Sequence, residues 1–196
     1  MTLDTRKYLH TEKVYNLLKK SDTCYDIRYF LAVLNSKIMW FFLKNSGDVL
    51  RGGFFTFKTQ YIKPFSIPNP SKQIENHLID NVNKILKLKN EFKEKHSTFL
   101  ELLKINFKIE KPTKILDKFY DLDFQMFLAE LTNMCKVKFS VDEQLEWMKQ
   151  FESHKQILLK NISDTNRIDN DINQNVYKLY QLTDKEIRIV EENYPT

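Results

Sequence analysis

Three glycines in 196 residues, Gly47, Gly52 and Gly53, constrain the fold more than any other feature of this sequence. Average usage would supply about 14. Glycine gives chains their left-handed turns and close backbone approaches. So poor a supply leaves no glycine-rich dinucleotide fingerprint, no phosphate-cradling loop and little room for a doubly wound nucleotide-binding sheet.

The apolar fraction of 42% is too high for a disordered chain, and the length is enough to bury a sizeable core. The longest apolar run, Ile38 to Leu43, is far too short to span a bilayer. Two cysteines, Cys24 and Cys135, supply neither a disulfide scaffold nor a zinc cage. With no leader-like amino terminus, the expectation is a reduced, cytoplasmic protein without membrane attachment.

The net charge of +5 is unevenly spread: residues 1–70 carry +6, residues 71–120 carry +4 and residues 121–196 carry −5. The basic amino-terminal stretch suggests a surface facing a polyanion, and the acidic carboxy-terminal stretch suggests a surface facing protein or water.

Apolar spacing sets the elements. Lys13 to Lys19 suits a short strand. Asp26 to Lys44 has helical spacing, with Asp26 as cap and Asn45-Ser46-Gly47 as stop. Aromatic residues after Gly52-Gly53, running Phe54-Phe55-Thr56-Phe57-Lys58, suggest a strand leaving a tight turn. Three of the five prolines fall in Lys63 to Pro70, marking an extended connector. From Ser71 onward the pattern is helical, with a break from Asn106 to Thr113, a short helix over Asp121 to Met134, and a long helix opened by Ser140-Val141-Asp142-Glu143. Thr183-Asp184-Lys185-Glu186 opens the last helix. The expected fold is α+β and mostly helical: a small amino-terminal sheet remnant, then a bundle or long antiparallel helical hairpin. The expected domains are residues 1–70, with the helix over 26–44, the Gly-Gly turn and short strands, and residues 71–196, a helical domain.

Catalytic signatures are sparse. Asn69-Pro70-Ser71 fails the Asn/Asp-Pro-Pro-aromatic pattern with which adenine methyltransferases hold the target amino group. His10, His77, His96 and His154 have no metal-ligand spacing, and structural histidines explain them better. Cys24 and Cys135 read as buried apolar thiols. Glu91-Phe92-Lys93 imitates a nuclease string inside an amphipathic helix, where lysine abundance explains it. No cofactor or metal is expected on this chain.

One constellation remains. Arg51, Gly52, Gly53, Lys58, Gln60, Tyr61 and Lys63 lie within a short segment. Arginine and glutamine can read guanine and adenine edges, lysine and tyrosine can hold phosphates, and glycines admit backbone amides to the sugar-phosphate chain. The same segment also reads as a strand whose aromatics fill a core.

Leu31-Ala32-Val33-Leu34-Asn35-Ser36-Lys37 is similar to the L-L-x-x-L-N-S-K element of restriction–modification specificity domains. Arg51-Gly52-Gly53-Phe54, Lys58, Tyr61 and Ser66-Ile67-Pro68 follow as in that family. The tail, Ile168-Asp169 through Val176-Tyr177-Lys178-Leu179-Tyr180-Gln181-Leu182-Thr183 to Glu186-Ile187, resembles the family's ending I-D-x-x-V-Y-x-L-Y-G-L-T-x-x-E-I, with Gln181 in place of glycine. From about residue 12 to its end, the chain resembles the TaqI-like carboxy-terminal specificity domain of adenine-specific methyltransferases and fused type II enzymes.

The resemblance implies a target-recognition module closing over double-stranded DNA, non-catalytic alone. Its partner would be an N6-adenine methyltransferase, a restriction subunit or a missing amino-terminal domain. S-adenosylmethionine and Mg would belong to that partner. The first residues align with the module's later strands, so a separately encoded subunit, a truncated product or a trimmed piece is expected. The alternative is a helical protein–protein interaction module or inactive fragment, with self-association through the long helices.

Overall fold

The computed structural model describes residues 1–3, 17–48 and 58–194. They group into two compact units: residues 1–85 with 168–196, and residues 86–167. Two long helices, α4 (Lys72–Phe107) and α7 (Val141–Leu179), supply segments to both.

The first unit begins with α1 (Ile27–Leu34) and α2 (Lys37–Ser46). Asp26 caps α1 by accepting from the Arg28 amide at 2.8 Å. The single helix expected over residues 26–44 is thus two. Ser36 breaks it by capping α2 with an extended backbone while its hydroxyl donates to the Val33 carbonyl at 2.7 Å. Gly47 ends α2 as expected, its amide bonded to the Leu43 carbonyl at 2.8 Å. After the short α3 (Thr59–Ile62) come the connector, the opening turns of α4, the end of α7 and α8 (Asp184–Glu192). The core of this unit collects Tyr29, Val33, Met39 and Leu43 with Leu78, Val176 and Tyr177, all essentially inaccessible.

The second unit holds the rest of α4 and α7, with α5 (Lys114–Asp117), a 3-10 turn at Phe119–Asp121, and α6 (Phe124–Cys135). α6 starts later than expected because Asp123 takes the cap, accepting from the Met126 amide at 2.8 Å. The core is aromatic: Phe99 meets Phe119 at 4.2 Å between ring centroids, and Phe127 stacks on Phe151 at 4.7 Å. The Ser140 and Thr183 capping boxes form as the sequence implies.

The expected sheet remnant is not found among the described residues, none of which is in a strand. Lys13 to Asn16 and Phe54 to Phe57 lie outside the described residues, and Leu17 to Lys19 have no regular structure. Thr59–Ile62 winds into a helical turn, with the Lys63 amide on the Thr59 carbonyl at 2.8 Å. Residues 65–70 have no regular secondary structure and build no ladder: Pro68 and Pro70 lack amide hydrogens, and tyrosine hydroxyls occupy the Ser66 and Pro68 carbonyls.

Candidate nucleic-acid interface

Of the residues expected to face nucleic acid, Arg51, Gly52 and Gly53 lie outside the described residues. The structure brings the other four together on one turn. Lys58 stands at the amino-terminal cap of α3, Gln60 and Tyr61 within it, and Lys63 at its carboxy-terminal cap. Lys58, Gln60 and Lys63 are exposed, and the two lysines make no ion pair among the described residues. Tyr61 is half-buried and donates its hydroxyl to the Asp48 carboxylate, a bond that pushes its pKa up. Tyr61 reaches a phosphate only by trading that bond.

The turn is held from behind. Phe65 is buried between Phe42 at 5.1 Å and Tyr180 at 5.8 Å, and its amide bonds the Ile62 carbonyl at 2.9 Å. Tyr180 donates to the Ser66 carbonyl at 2.6 Å, and Tyr29 to the Pro68 carbonyl at 2.6 Å. Burial pushes the Tyr29 hydroxyl up to about 12, so both its proton and its bond persist at neutral pH. Beside the turn, Ile62 and Phe65 share an apolar cavity of about 240 Å³ with Leu18, Ile27 and Phe30.

The two stretches that resemble specificity domains also lock together. The Lys37 amide donates to Asn173 Oδ1 at 2.9 Å, and its ammonium group pairs with Glu191. Tyr177 donates to the other Glu191 oxygen at 2.7 Å. Lys44 reaches Asn193 Oδ1 at 3.1 Å. Burial pushes the Glu191 carboxyl up, but the hydrogen bonds from Lys37 and Tyr177 outweigh it and hold the group below the usual glutamate range. Gln181, at the family's glycine position, has φ 54°. Composition and spacing gave no sign that Phe42, Phe65 and the tail tyrosines support the turn. For the tail tyrosines the expected resemblance of the tail was the available signal; Phe42 and Phe65 carried none.

Elsewhere the polar chemistry is structural. His77 and Asn81 share Asp171 at 2.6 and 2.5 Å. His96 lies between the rings of Phe92 and Phe119 and bonds the Asp117 carbonyl at 2.6 Å. The cysteines are not both buried as expected: Cys24 is exposed, in the stretch before the first helix, and Cys135 is half-buried, where burial pushes its thiol up, away from a reactive thiolate. Among the described residues no group of three His, Cys, Asp or Glu is placed to hold a metal, and no helix is long and apolar enough to cross a membrane.

Residues 71–176, more than half of the chain, match the model of a family described as Domain of unknown function (DUF8810). The chain belongs to that family. Residues 1–67 match the TaqI-like C-terminal specificity domain. The DUF8810 segment thus comprises α4, α5, α6 and most of α7, and the specificity-domain segment comprises α1 to α3. The two matches meet in the proline connector. The specificity-domain match stops at residue 67, short of the tail for which the same likeness was expected, and residues 168–176 of that tail lie within the DUF8810 match. No curated protein and no solved structure matches the chain.

Proposed function

We propose that this chain is the DNA target-recognition component of a restriction–modification system. It performs no catalysis itself and acts with an adenine methyltransferase or restriction subunit that supplies S-adenosylmethionine and Mg chemistry. The match of residues 1–67 to a specificity domain carries this reading. The exposure of Lys58, Gln60 and Lys63 on one anchored turn supports it. Arg51, Gly52 and Gly53 complete the contact set: Arg51 and Gln60 read base edges, and Lys58, Tyr61 and Lys63 hold phosphates.

The test is fluorescence anisotropy with the partner's cognate duplex and a scrambled duplex across a salt series, with and without the partner subunit. Arg51→Ala is expected to weaken cognate binding by roughly 1–3 kcal/mol and to narrow the gap between cognate and scrambled DNA. The double variant K58Q/K63Q is expected to weaken both equally and to flatten the salt dependence. Partner capture without any DNA binding, alone or in complex, would replace this reading with that of a protein interaction module.

A further inference from the structure

The turn joining α4 to α6 in the second unit gathers lysines with unusual density: Lys104, Lys108, Lys111, Lys114 and Lys118, against Glu110 and Asp117. Lys104, Lys111 and Lys114 line one cavity of about 390 Å³ together with Glu101, Thr113 and Asp117. Lys104 and Glu101 neutralise each other at 2.6 Å. The Asp117 carboxylate has His96 3.9 Å away. Lys111 and Lys114 are exposed and make no ion pair or hydrogen bond among the described residues. The cavity therefore sets Lys104, Lys111 and Lys114 against the carboxylates of Glu101 and Asp117, an excess of one positive charge, with Lys111 and Lys114 in no ion pair.

Those cations stand on a fixed scaffold. Thr113 caps α5 by accepting from the Leu116 amide at 3.1 Å, and its hydroxyl donates to Glu130 at 2.7 Å. Leu116 and Phe119 are fully buried just beyond. His96 holds the Asp117 carbonyl. A turn anchored at successive points loses little backbone freedom when its lysines engage a ligand. Unpaired ammonium groups on such a turn suit phosphate oxygens, which they bind as point charges while releasing condensed counterions from the nucleic acid.

From this geometry we propose that Lys111 and Lys114 form a second DNA contact, in the segment of the chain that carries the DUF8810 match. It grips backbone phosphates without reading sequence. The proposal rests on the DNA-recognition reading above but concerns different residues, so each can fail without the other.

The experiment uses the full chain, with its partner if binding requires it, and a short random-sequence duplex. Affinity is followed by anisotropy from about 50 to 200 mM salt. K111Q/K114Q is expected to bind roughly tenfold more weakly near 0.1 M salt and to lower the slope of log K against log salt by about 2. K93Q/K95Q removes the same charge from exposed lysines of α4 and is expected to leave the slope unchanged. Circular dichroism establishes that each variant is folded. An unchanged slope for K111Q/K114Q overturns the proposal, as does an equal loss in K93Q/K95Q, which would mark diffuse charge. If K58Q/K63Q alone weakens binding, the recognition reading stands without this site. If K111Q/K114Q alone does so, this site stands without the turn at Lys58 and Lys63. If the unsubstituted protein binds no duplex, both fall.

Discussion

Gln181 shows what one residue does when the backbone demands glycine and the sequence withholds it. α7 ends in a left-handed residue whose neighbours close the helix: the Gln181 amide bonds the Lys178 carbonyl at 3.0 Å, and the Leu182 amide bonds the Tyr177 carbonyl at 3.1 Å. At φ 54° a side chain crowds its own carbonyl, at a cost of about 1–2 kcal/mol, whereas glycine's extra freedom in the unfolded chain costs it about 0.5–1. Gln181 is exposed, so no packing is lost on replacing it. Gln181→Gly is therefore expected to stabilise the chain by about 0.5–1 kcal/mol in urea unfolding, and Gln181→Ala to give no such gain. Equal midpoints for the glycine and alanine variants would show that the left-handed residue carries no strain. Lys108, at φ 52°, closes α4 in the same way, with the Ile109 amide on the Lys104 carbonyl. A chain so poor in glycine leaves its helix ends to lysine and glutamine.

At the scale of elements, α8 acts as a clasp on α2. Its amphipathic face buries Val190, and Glu191 receives Lys37 and Tyr177. The Glu191 pKa in the folded chain lies below its ordinary value. Its contribution is therefore complete at neutral pH and is lost as pH falls through the folded-state value. Glu191→Gln keeps an acceptor for Tyr177 but loses the charge. The half-exposed position screens the pair, so the expected loss is about 1 kcal/mol near neutral pH and smaller at a pH below the ordinary glutamate range, where the folded-state carboxylate takes up its proton. Urea midpoints at the two pH values check this, and a difference that did not change with pH would rule out the ion pair as its source. The caps of these elements were legible in the sequence, because Asp26, Ser71, Ser140 and Thr183 act through neighbours three residues away or fewer. The break at Asn35-Ser36 was not legible, because apolar spacing continues across it while the Ser36 hydroxyl turns back to Val33. Nor was the helical turn at Thr59–Ile62, which directly follows the segment read as strand and is backed by Phe65 packing against Phe42 and Tyr180, partners remote in sequence. The basic turn itself was legible as residue types, whereas Tyr180, which holds it, lies over a hundred residues away.

Across the whole molecule, the first unit is discontinuous, and this follows from no local pattern. The hydrophobic stripes of α4 and α7 continue across residues 85 and 167, where the units divide, so periodicity gives no sign of the division. A chain ending at residue 176 would contain both family matches in full. It would still lack Tyr177, Tyr180, the Thr183 capping box, Val190 and Glu191. Tyr177 and Val190 are almost wholly buried, and each such side chain is worth roughly 1.5–3 kcal/mol. Their removal, with the bonds to Lys37 and the connector, takes away a large share of a stability that is about 5–15 kcal/mol for a typical domain. The core of the second unit, from Phe99 to Leu158, needs none of these residues. Hydrogen exchange on the shortened chain is therefore expected to show unprotected amides in α1 and α2 and retained protection in α6. Tryptophan fluorescence gives a second view: Trp40 sits on α2 beside Tyr194, whereas Trp147 packs on Phe107 at 4.9 Å. Exposure of Trp40 with Trp147 still shielded is the expected pattern, and under the proposed DNA reading weakened duplex binding should accompany it, because the turn carrying Lys58 and Lys63 rests on Tyr180 while Lys111 and Lys114 stay on the folded second unit. Protected α1 and α2 amides in the shortened chain would mean that the segment matching the specificity domain folds without the clasp.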